Sequence, residues 1–143
     1  MSHALTLPSQ ILPGRILYHV YGGNLDSTPS KLELKKDITK FIILTKPDND
    51  YRFSHIHQYY DHYSGELKEY NSGGYCSDNG IFPPGSNRCK YNLNRLFFFE
   101  EDAIDFINEC LTGNFVDPSD ALAKKHLNDT RETWDSFSIW MDD

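Results

Sequence analysis

The order of secondary-structure signals along the chain is the feature that most limits its fold. Stretches rich in β-branched and aromatic residues fill the first hundred residues, whereas the clearest helical pattern, EEDAIDFINECLTGN, begins only at residue 100. Apolar residues in that pattern recur three and four positions apart and form one stripe: Ala103, Phe106, Ile107, Cys110 and Leu111. Strands first and helices last predict an α+β protein, in which C-terminal helices cover an antiparallel sheet of about five strands.

The strand predictions depend on residue type and on the turn residues between the segments. We predict strands at 14–23, 40–47, 51–63, 63–70 and 89–99. Ser64 and Gly65 have the turn chemistry that joins the third and fourth of these into a hairpin. Residues 31–40 fit two patterns, because Leu32 and Leu34 alternate like a strand while the apolar residues from Leu34 onward fit a helical face.

The remaining segments complete a single domain of 143 residues. Residues 1–14 are predicted to be an irregular N-terminal arm. Residues 71–88 are predicted to be a long surface loop, because glycine, proline, serine and asparagine are dense there. Asp117 is a candidate N-cap for a second helix with Pro118 at its first position, and residues 130–143 are predicted to form a last short helix.

Charge and hydropathy exclude several classes of protein. The chain has 21 acidic and 14 basic residues, a net charge of −7, which disfavours broad binding to nucleic acid. A basic partner surface fits this charge better than an acidic one, and solubility alone is the simpler explanation of it. The longest apolar runs, at 41–44 and 96–99, are far shorter than the ~20 residues of a membrane span. The first ten residues lack the pattern of a signal peptide, so we expect a cytoplasmic protein without a membrane partner.

Three histidines lie in one aromatic stretch, YRFSHIHQYYDHYSGELKEYNSGGYC, at residues 51–76. In a strand, His55 and His57 share one face with Asp61, whereas His62 points to the other face. These four residues are the catalytic candidates if the protein is a small hydrolase or nuclease. We prefer an aromatic, partly exposed strand whose histidines are hydrogen-bonded.

A zinc site is a second interpretation of the same histidines. His55 and His57 would bind the ion together with Cys76 and Cys89, which flank the predicted loop. Zinc sites usually combine closely spaced ligand pairs, and the sequence has no C-x-x-C or H-x-x-x-H pair. We therefore expect no metal and no other cofactor, with zinc as the alternative.

The remaining chemistry-bearing patterns favour a protein that is not an enzyme. Cys110 falls on the helical stripe and is predicted to be a small core residue, and Cys76 and Cys89 would pair only in an oxidising compartment. The sequence contains no Walker A motif, dinucleotide fingerprint, G-x-S-x-G elbow or H-E-x-x-H motif. A catalytic cysteine–histidine pair remains an open alternative.

Aromatic residues are the candidate contact residues. Tyrosine provides a large, amphipathic surface at low entropic cost and is enriched in interfaces. The candidates lie around the hairpin, the loop and the acidic C-terminal segment: Tyr51, Tyr59, Tyr60, Tyr63, Tyr75, Trp134 and Trp140. Ordinary cross-strand pairing of aromatic residues is the alternative explanation for the tyrosines.

In composition the chain resembles small bacteriophage accessory proteins, since it is short, acidic, rich in tyrosine, asparagine and phenylalanine, and free of catalytic signatures. The resemblance implies a host-interaction role. Our leading hypothesis is a binding module that acts by contact with a protein or a small ligand. The alternatives are a small metal- or histidine-dependent hydrolase or nuclease, and a homo-oligomer whose interface binds a nucleotide-like ligand.

Overall fold

The computed structural model describes residues 3–22, 37–61, 63–81 and 93–127. In these ranges, five strands precede two α-helices: β1 (Ile16–Tyr21), β2 (Ile38–Ile43), β3 (Arg52–Tyr60), β4 (Leu67–Tyr75), β5 (Asn94–Phe97), α1 (Glu100–Thr112) and α2 (118–127). All strand pairs are antiparallel. The predicted α+β architecture with C-terminal helices is therefore confirmed.

The sheet has the order β4-β3-β2-β1-β5. The first four strands form a meander, and the chain then returns so that β5 pairs with β1. Ala4 forms a bridge with Phe97, and the Leu5 backbone N–H donates a 2.8 Å hydrogen bond to the Leu96 carbonyl. The N-terminal arm thus covers the β5 edge of the sheet, while β4 forms the other edge.

Each face of the sheet carries its own apolar core. On the side that we call the helix face, α1 and α2 pack on the sheet through Val20, Ile38, Leu93, Phe97, Ala103, Phe106, Ile107, Cys110 and Ala123. On the opposite side, the arm face, the core consists of Leu5, Ile11, Leu17, Phe41, Ile43, Phe53, Cys76, Ile81 and Leu96. Complete burial of a leucine, isoleucine or phenylalanine side chain stabilises the fold by ~1.5–3 kcal/mol. Both faces therefore contribute to stability.

Both helices begin, and α1 ends, where the sequence predicts. Acidic residues occupy the first turn of α1, and Gly113 ends the helix with a φ of 79° and donates its N–H to the Glu109 carbonyl. At the start of α2, Asp117 Oδ1 accepts a 2.8 Å hydrogen bond from the Ser119 N–H, so Asp117 is the N-cap. Glu109 is buried although it is acidic, and its Oε1 accepts a 2.9 Å hydrogen bond from the Val116 N–H.

A buried ion pair, which the sequence does not predict, fastens α2 to the sheet. Arg95 on β5 and Asp120 on α2 have side chains that are 0% and 2% exposed. Asp120 Oδ1 accepts hydrogen bonds from Nε and Nη2 of Arg95 at 3.2 and 2.9 Å. Arg95 Nη1 also donates to the Asn94 carbonyl at 2.7 Å, so the guanidinium is held by two elements.

The structure corrects the predicted loop at 71–88, because residues 71–75 belong to β4. β3 is nine residues long and offers backbone partners to this whole segment, including Gly73 and Gly74. A short 3₁₀ turn, Cys76–Asn79, follows, and Cys76 and Ile81 are buried. Local turn signals were therefore overridden by strand pairing, while residues 82–88 lie outside the described part of the chain.

Other boundaries also differ from the sequence predictions. The central strand predicted at 40–47 runs over Ile38–Ile43, and the strand predicted at 89–99 is described only over Asn94–Phe97. The N-terminal arm is irregular as predicted, apart from a short 3₁₀ turn, Pro8–Gln10, but its Leu5 and Ile11 are core residues. The ambiguous residues 31–36 and the predicted last helix at 130–143 lie outside the described residues. Within the described ranges, no helix is long and apolar enough to span a membrane.

Candidate functional site

The β3–β4 hairpin carries most of the candidate residues, and its turn has the predicted chemistry. Gly65 adopts a φ of 71° and donates its N–H to the Asp61 carbonyl at 2.8 Å. Asp61 Oδ1 accepts a 2.8 Å hydrogen bond from the Tyr63 N–H, and its Oδ2 lies 2.8 Å from Lys68 Nζ. The hydrogen bond from Lys68 and those from the turn backbone lower the pKa of Asp61 to about 2. Asp61, a candidate acid or base, therefore stabilises the hairpin turn.

Three imidazoles share the arm face of the sheet. His55 and His57 lie on this face together, as their spacing predicts, and their ring centroids are 5.9 Å apart. The sequence interpretation missed His19 of β1, whose ring lies 6.3 Å from that of His57. Strand alternation in β1 places His19 on one face of the sheet. Only the pairing of β1 with β2, and of β2 with β3, brings His19 close to the histidines of β3.

Phe41 lies between two of these imidazoles. Its ring stacks on His19 at 4.7 Å and on His55 at 3.8 Å, with interplanar angles of 13° and 18°. His19 contacts Thr39 Oγ1 through Nδ1 at 3.2 Å and Asn94 Oδ1 through Nε2 at 3.0 Å. Because the amide oxygen accepts, Nε2 carries the proton of a neutral ring, and the threonine hydroxyl donates to Nδ1.

Burial keeps the histidines uncharged at neutral pH. It lowers the pKa of His19 to about 4, against the hydrogen bond from His19 to Asn94, which raises it. Burial also lowers the pKa of His55 to about 4, helped by the neighbouring His57, whose own pKa is lowered by burial. His55 is buried, and among the described residues neither of its ring nitrogens has a hydrogen-bond partner. The hydrogen bonds predicted for the histidines of residues 51–76 are therefore not found at His55 within the described residues, whereas His19, which was not among those histidines, has two.

The geometry offers little to a metal ion. The described residues contain no group of three or more histidine, cysteine, aspartate or glutamate side chains placed to hold one. Cys76 is a core residue whose thiol pKa is raised to about 11 by burial, so it is protonated at neutral pH. Cys89, the fourth zinc candidate, and His62, the other catalytic candidate, lie outside the described residues. The four-ligand zinc site therefore stays a prediction.

Burial also raises the pKa of the other described thiol, that of Cys110. Cys110 lies on the apolar stripe of α1, as predicted, and burial raises its pKa to about 12. A thiolate is the nucleophilic form of cysteine, and a protonated core thiol is inert. Neither Cys76 nor Cys110 therefore has the environment of a catalytic nucleophile.

The structure distributes the candidate tyrosines over separate surfaces. Tyr60 lies on the helix face of β3, and Tyr63 is fully exposed in the hairpin turn. Tyr75 ends β4 and stacks under the Arg52 guanidinium, whose carbon lies 5.1 Å from the ring centroid. Tyr51 has a φ of 59°, the left-handed conformation, and is 38% exposed beside the start of β3. Trp134 and Trp140 lie outside the described residues.

Three rings nevertheless pack together on the arm face of the hairpin. His57 stacks on Tyr70 with centroids 5.1 Å apart and an interplanar angle of 15°. Tyr59 meets both rings edge-on at 5.8 Å. Tyr70 is 50% exposed, while His57 and Tyr59 are half-buried. We call these three residues the aromatic patch. Tyr59 was a sequence candidate for binding and His57 a candidate for catalysis, and Tyr70 joins them because it pairs with His57 across the two strands.

Comparison with known protein families identifies a family that includes this site. The sequence matches the family of phage g100-like proteins over residues 7–110. The chain belongs to the phage g100-like protein family. The match includes all five strands and the aromatic patch, and it ends within α1 before α2 begins. No curated protein and no solved structure matches the chain.

Proposed function

We propose that this phage g100-like protein is an accessory protein that acts by contact, with the aromatic patch as its contact surface for a partner protein. The observation that carries the proposal is the mutual packing of His57, Tyr59 and Tyr70 at the solvent-accessible edge of the sheet. The family match supports a phage origin for the chain.

Packed aromatic rings suit a contact surface for a physical reason. A side chain that is already held by its neighbours loses little entropy when a partner binds. Tyrosine adds a hydroxyl that can donate or accept a hydrogen bond at the rim of the buried area. The patch therefore provides apolar area and polar groups without a rearrangement. The net charge of −7 favours a partner whose surrounding surface is basic.

The site chemistry favours contact over catalysis. A general acid or base works best when its pKa lies near the operating pH, and burial holds the pKa of His19 and His55 at about 4. Asp61 is engaged by the hairpin turn and by Lys68. The hydrolase or nuclease hypothesis consequently draws no support from the described arrangement of these residues.

Site-directed photocrosslinking tests the proposal. A photoreactive phenylalanine analogue replaces Tyr70 in one protein and Leu122 in the control, because Leu122 is 52% exposed on α2, far along the chain from the patch. Each protein is irradiated in an extract of phage-infected cells. We expect a discrete crosslinked product from position 70 and none of that mass from position 122.

Competition makes the test specific to the patch. Excess unmodified protein should suppress the product, whereas protein carrying Tyr59→Ala and Tyr70→Ala should compete at least tenfold less well, as expected for two central interface residues. Equal products from both positions, or equal competition by both proteins, would show that the patch is not the contact surface. A product heavier than the protein by only the mass of a small molecule would identify a small ligand in place of a partner protein.

A further inference from the structure

The outer edge of β4 carries a second feature, its outward-facing backbone, which lies beside the aromatic patch. β4 is the last strand of the sheet and extends for nine residues, Leu67–Tyr75. Leu67 and Tyr75, at its two ends, are 52% and 44% exposed, and every residue from 67 to 71 is exposed. The opposite edge is covered by the N-terminal arm. Among the residues that the structure describes, none pairs with the outer edge of β4, and an open edge of this length is a template for another strand.

The backbone of β4 presents alternate residues to this edge. The Asp61 N–H donates to the Glu66 carbonyl at 2.9 Å, and the Cys76 N–H donates to the Tyr51 carbonyl at 2.9 Å. Hydrogen-bonded pairs recur every second residue in an antiparallel ladder, so the even-numbered residues of β4 bond to β3. The odd-numbered residues, Leu67 to Tyr75, direct their N–H and carbonyl groups away from the sheet. Of these, the Tyr75 N–H is bonded to Asp78 Oδ2 at 3.3 Å.

The side chains of β4 are complementary to a second copy of the same strand. Pairing centred on Asn71 gives the longest overlap, nine residues, and about eight new backbone hydrogen bonds. In this register Leu67 lies opposite Tyr75 of the second copy, so exposed apolar side chains meet. Shifting the centre to position 68 or 69 places Lys68 or Glu69 opposite its own copy, and like charges there are unfavourable. The strand itself carries one positive and one negative charge and does not repel its copy.

We propose that two copies of the chain associate through β4, antiparallel and centred on Asn71, so that two five-stranded sheets become one continuous sheet. This inference does not depend on the proposed contact function. Asn71 pairs with Ile56 on the helix face, whereas the aromatic patch lies on the arm face. A substitution at Asn71 therefore changes the edge and leaves the patch intact.

A charge-swap experiment tests both the association and its register. Wild-type protein, N71K and N71D are each examined by sedimentation equilibrium up to about 200 µM, because an interface of this small size gives a weak dimer. Wild type should approach twice its monomer mass of 16.6 kDa with rising concentration. N71K and N71D alone place like charges at the twofold axis and should each bind at least tenfold more weakly. An equimolar mixture of the two should regain dimers.

Two further variants separate backbone pairing from side-chain effects. N71P removes an N–H that points away from β3, so the monomer should fold with an unchanged circular dichroism spectrum while dimerisation is lost. N71A retains that N–H and should dimerise like wild type. The proposal is overturned if wild type stays monomeric at about 200 µM, where a weak edge-paired dimer should form. The proposal is also overturned if N71K and N71D each dimerise alone as well as they do when mixed. This comparison tests the register even if N71P fails to fold.

Discussion

Removing the carboxylate of Asp120 should destabilise the protein severely. Asp120→Ala would leave the Arg95 guanidinium inside the fold without the oxygen that accepts its Nε and Nη2 protons. The two side chains are 2% and 0% exposed, so water has no direct access to either group in the folded state. Removing one partner of a buried pair typically costs 3–5 kcal/mol, and a domain of ordinary stability has only about 5–15 kcal/mol to lose.

The size of the expected change makes it easy to measure. For a domain of this size each kcal/mol shifts the melting temperature by roughly 3 °C, so Asp120→Ala should lower Tm by about 10–15 °C in circular dichroism melts. Lys68→Ala is the matched control, because it breaks an ion pair of 2.8 Å whose side chains are 46% and 20% exposed. Solvent screens that pair, and Tm should change little.

A double substitution shows whether the buried Arg95 charge, once it has lost Asp120, causes the decrease in Tm. Arg95→Met with Asp120→Ala removes both charges and keeps a long apolar side chain at position 95, so it should recover more than half of the Tm lost by Asp120→Ala alone. Two results would refute the reasoning. The first is a Tm loss for Asp120→Ala no larger than that of Lys68→Ala. The second is a double variant no more stable than the single one.

Gly80→Ala should lower Tm more than Gly65→Ala does. Both glycines have a positive φ (73° and 71°), but only at position 80 would the added Cβ lie 2.7 Å from the Arg95 guanidinium. Equal decreases in Tm for the two variants would contradict this prediction. Gly22→Ala places its Cβ 2.5 Å from Cys110 Sγ and should cost about 1–3 kcal/mol in urea unfolding. Adding Cys110→Ala should relieve part of that cost, and strictly additive losses would argue against a direct clash. Acid should destabilise the fold as the pH falls from 6.5 toward 4, because the unfolded chain takes up the His55 proton near 6.5 and the folded chain only near 4. His55 alone accounts for a decrease of up to roughly 3 kcal/mol in the free energy of unfolding over that pH range. His55→Phe should therefore flatten the pH dependence of the urea unfolding midpoint. An unchanged slope would show that His55 is not buried in its neutral form.

The sequence predicts the features of this fold that are local. The spacing of Phe106 and Cys110 predicts α1, the chemistry of Ser64 and Gly65 predicts the hairpin turn, and Asp117 predicts the start of α2. In each case the residues that form the contact lie within a few positions of one another, so their spacing carries the information.

The features that the sequence does not predict depend on pairing between distant segments. Gly73 has the local signal of a loop, yet it forms part of β4 because β3 extends beside it. The contact of Arg95 with Asp120 spans 25 residues, and that of His19 with Asn94 spans 75. Turn propensity is a local property, whereas a strand at a sheet edge gains its hydrogen bonds from a partner elsewhere in the chain.

The aromatic patch combines a feature that the sequence predicts with one that depends on strand pairing. Strand alternation places Tyr59 on the same face as His57, and this part of the site can be read from spacing. Tyr70 enters the patch only through the hairpin register, which sets it opposite His57. Of the three catalytic candidates that the structure describes, Asp61 lies in the turn, apart from His55, which is buried against Phe41.

The affinity of the crosslinked partner for purified variants tests the contact function most directly. Titration calorimetry or fluorescence anisotropy would compare wild type with Tyr70→Ala and with the control Leu122→Ala. We expect Tyr70→Ala to raise Kd at least tenfold, about 1.4 kcal/mol, because truncating a central aromatic residue removes a large share of the binding energy. For Leu122→Ala we expect an unchanged Kd. An unchanged Kd for Tyr70→Ala, in a variant whose circular dichroism spectrum matches wild type, would contradict the claim that the aromatic patch is the contact surface.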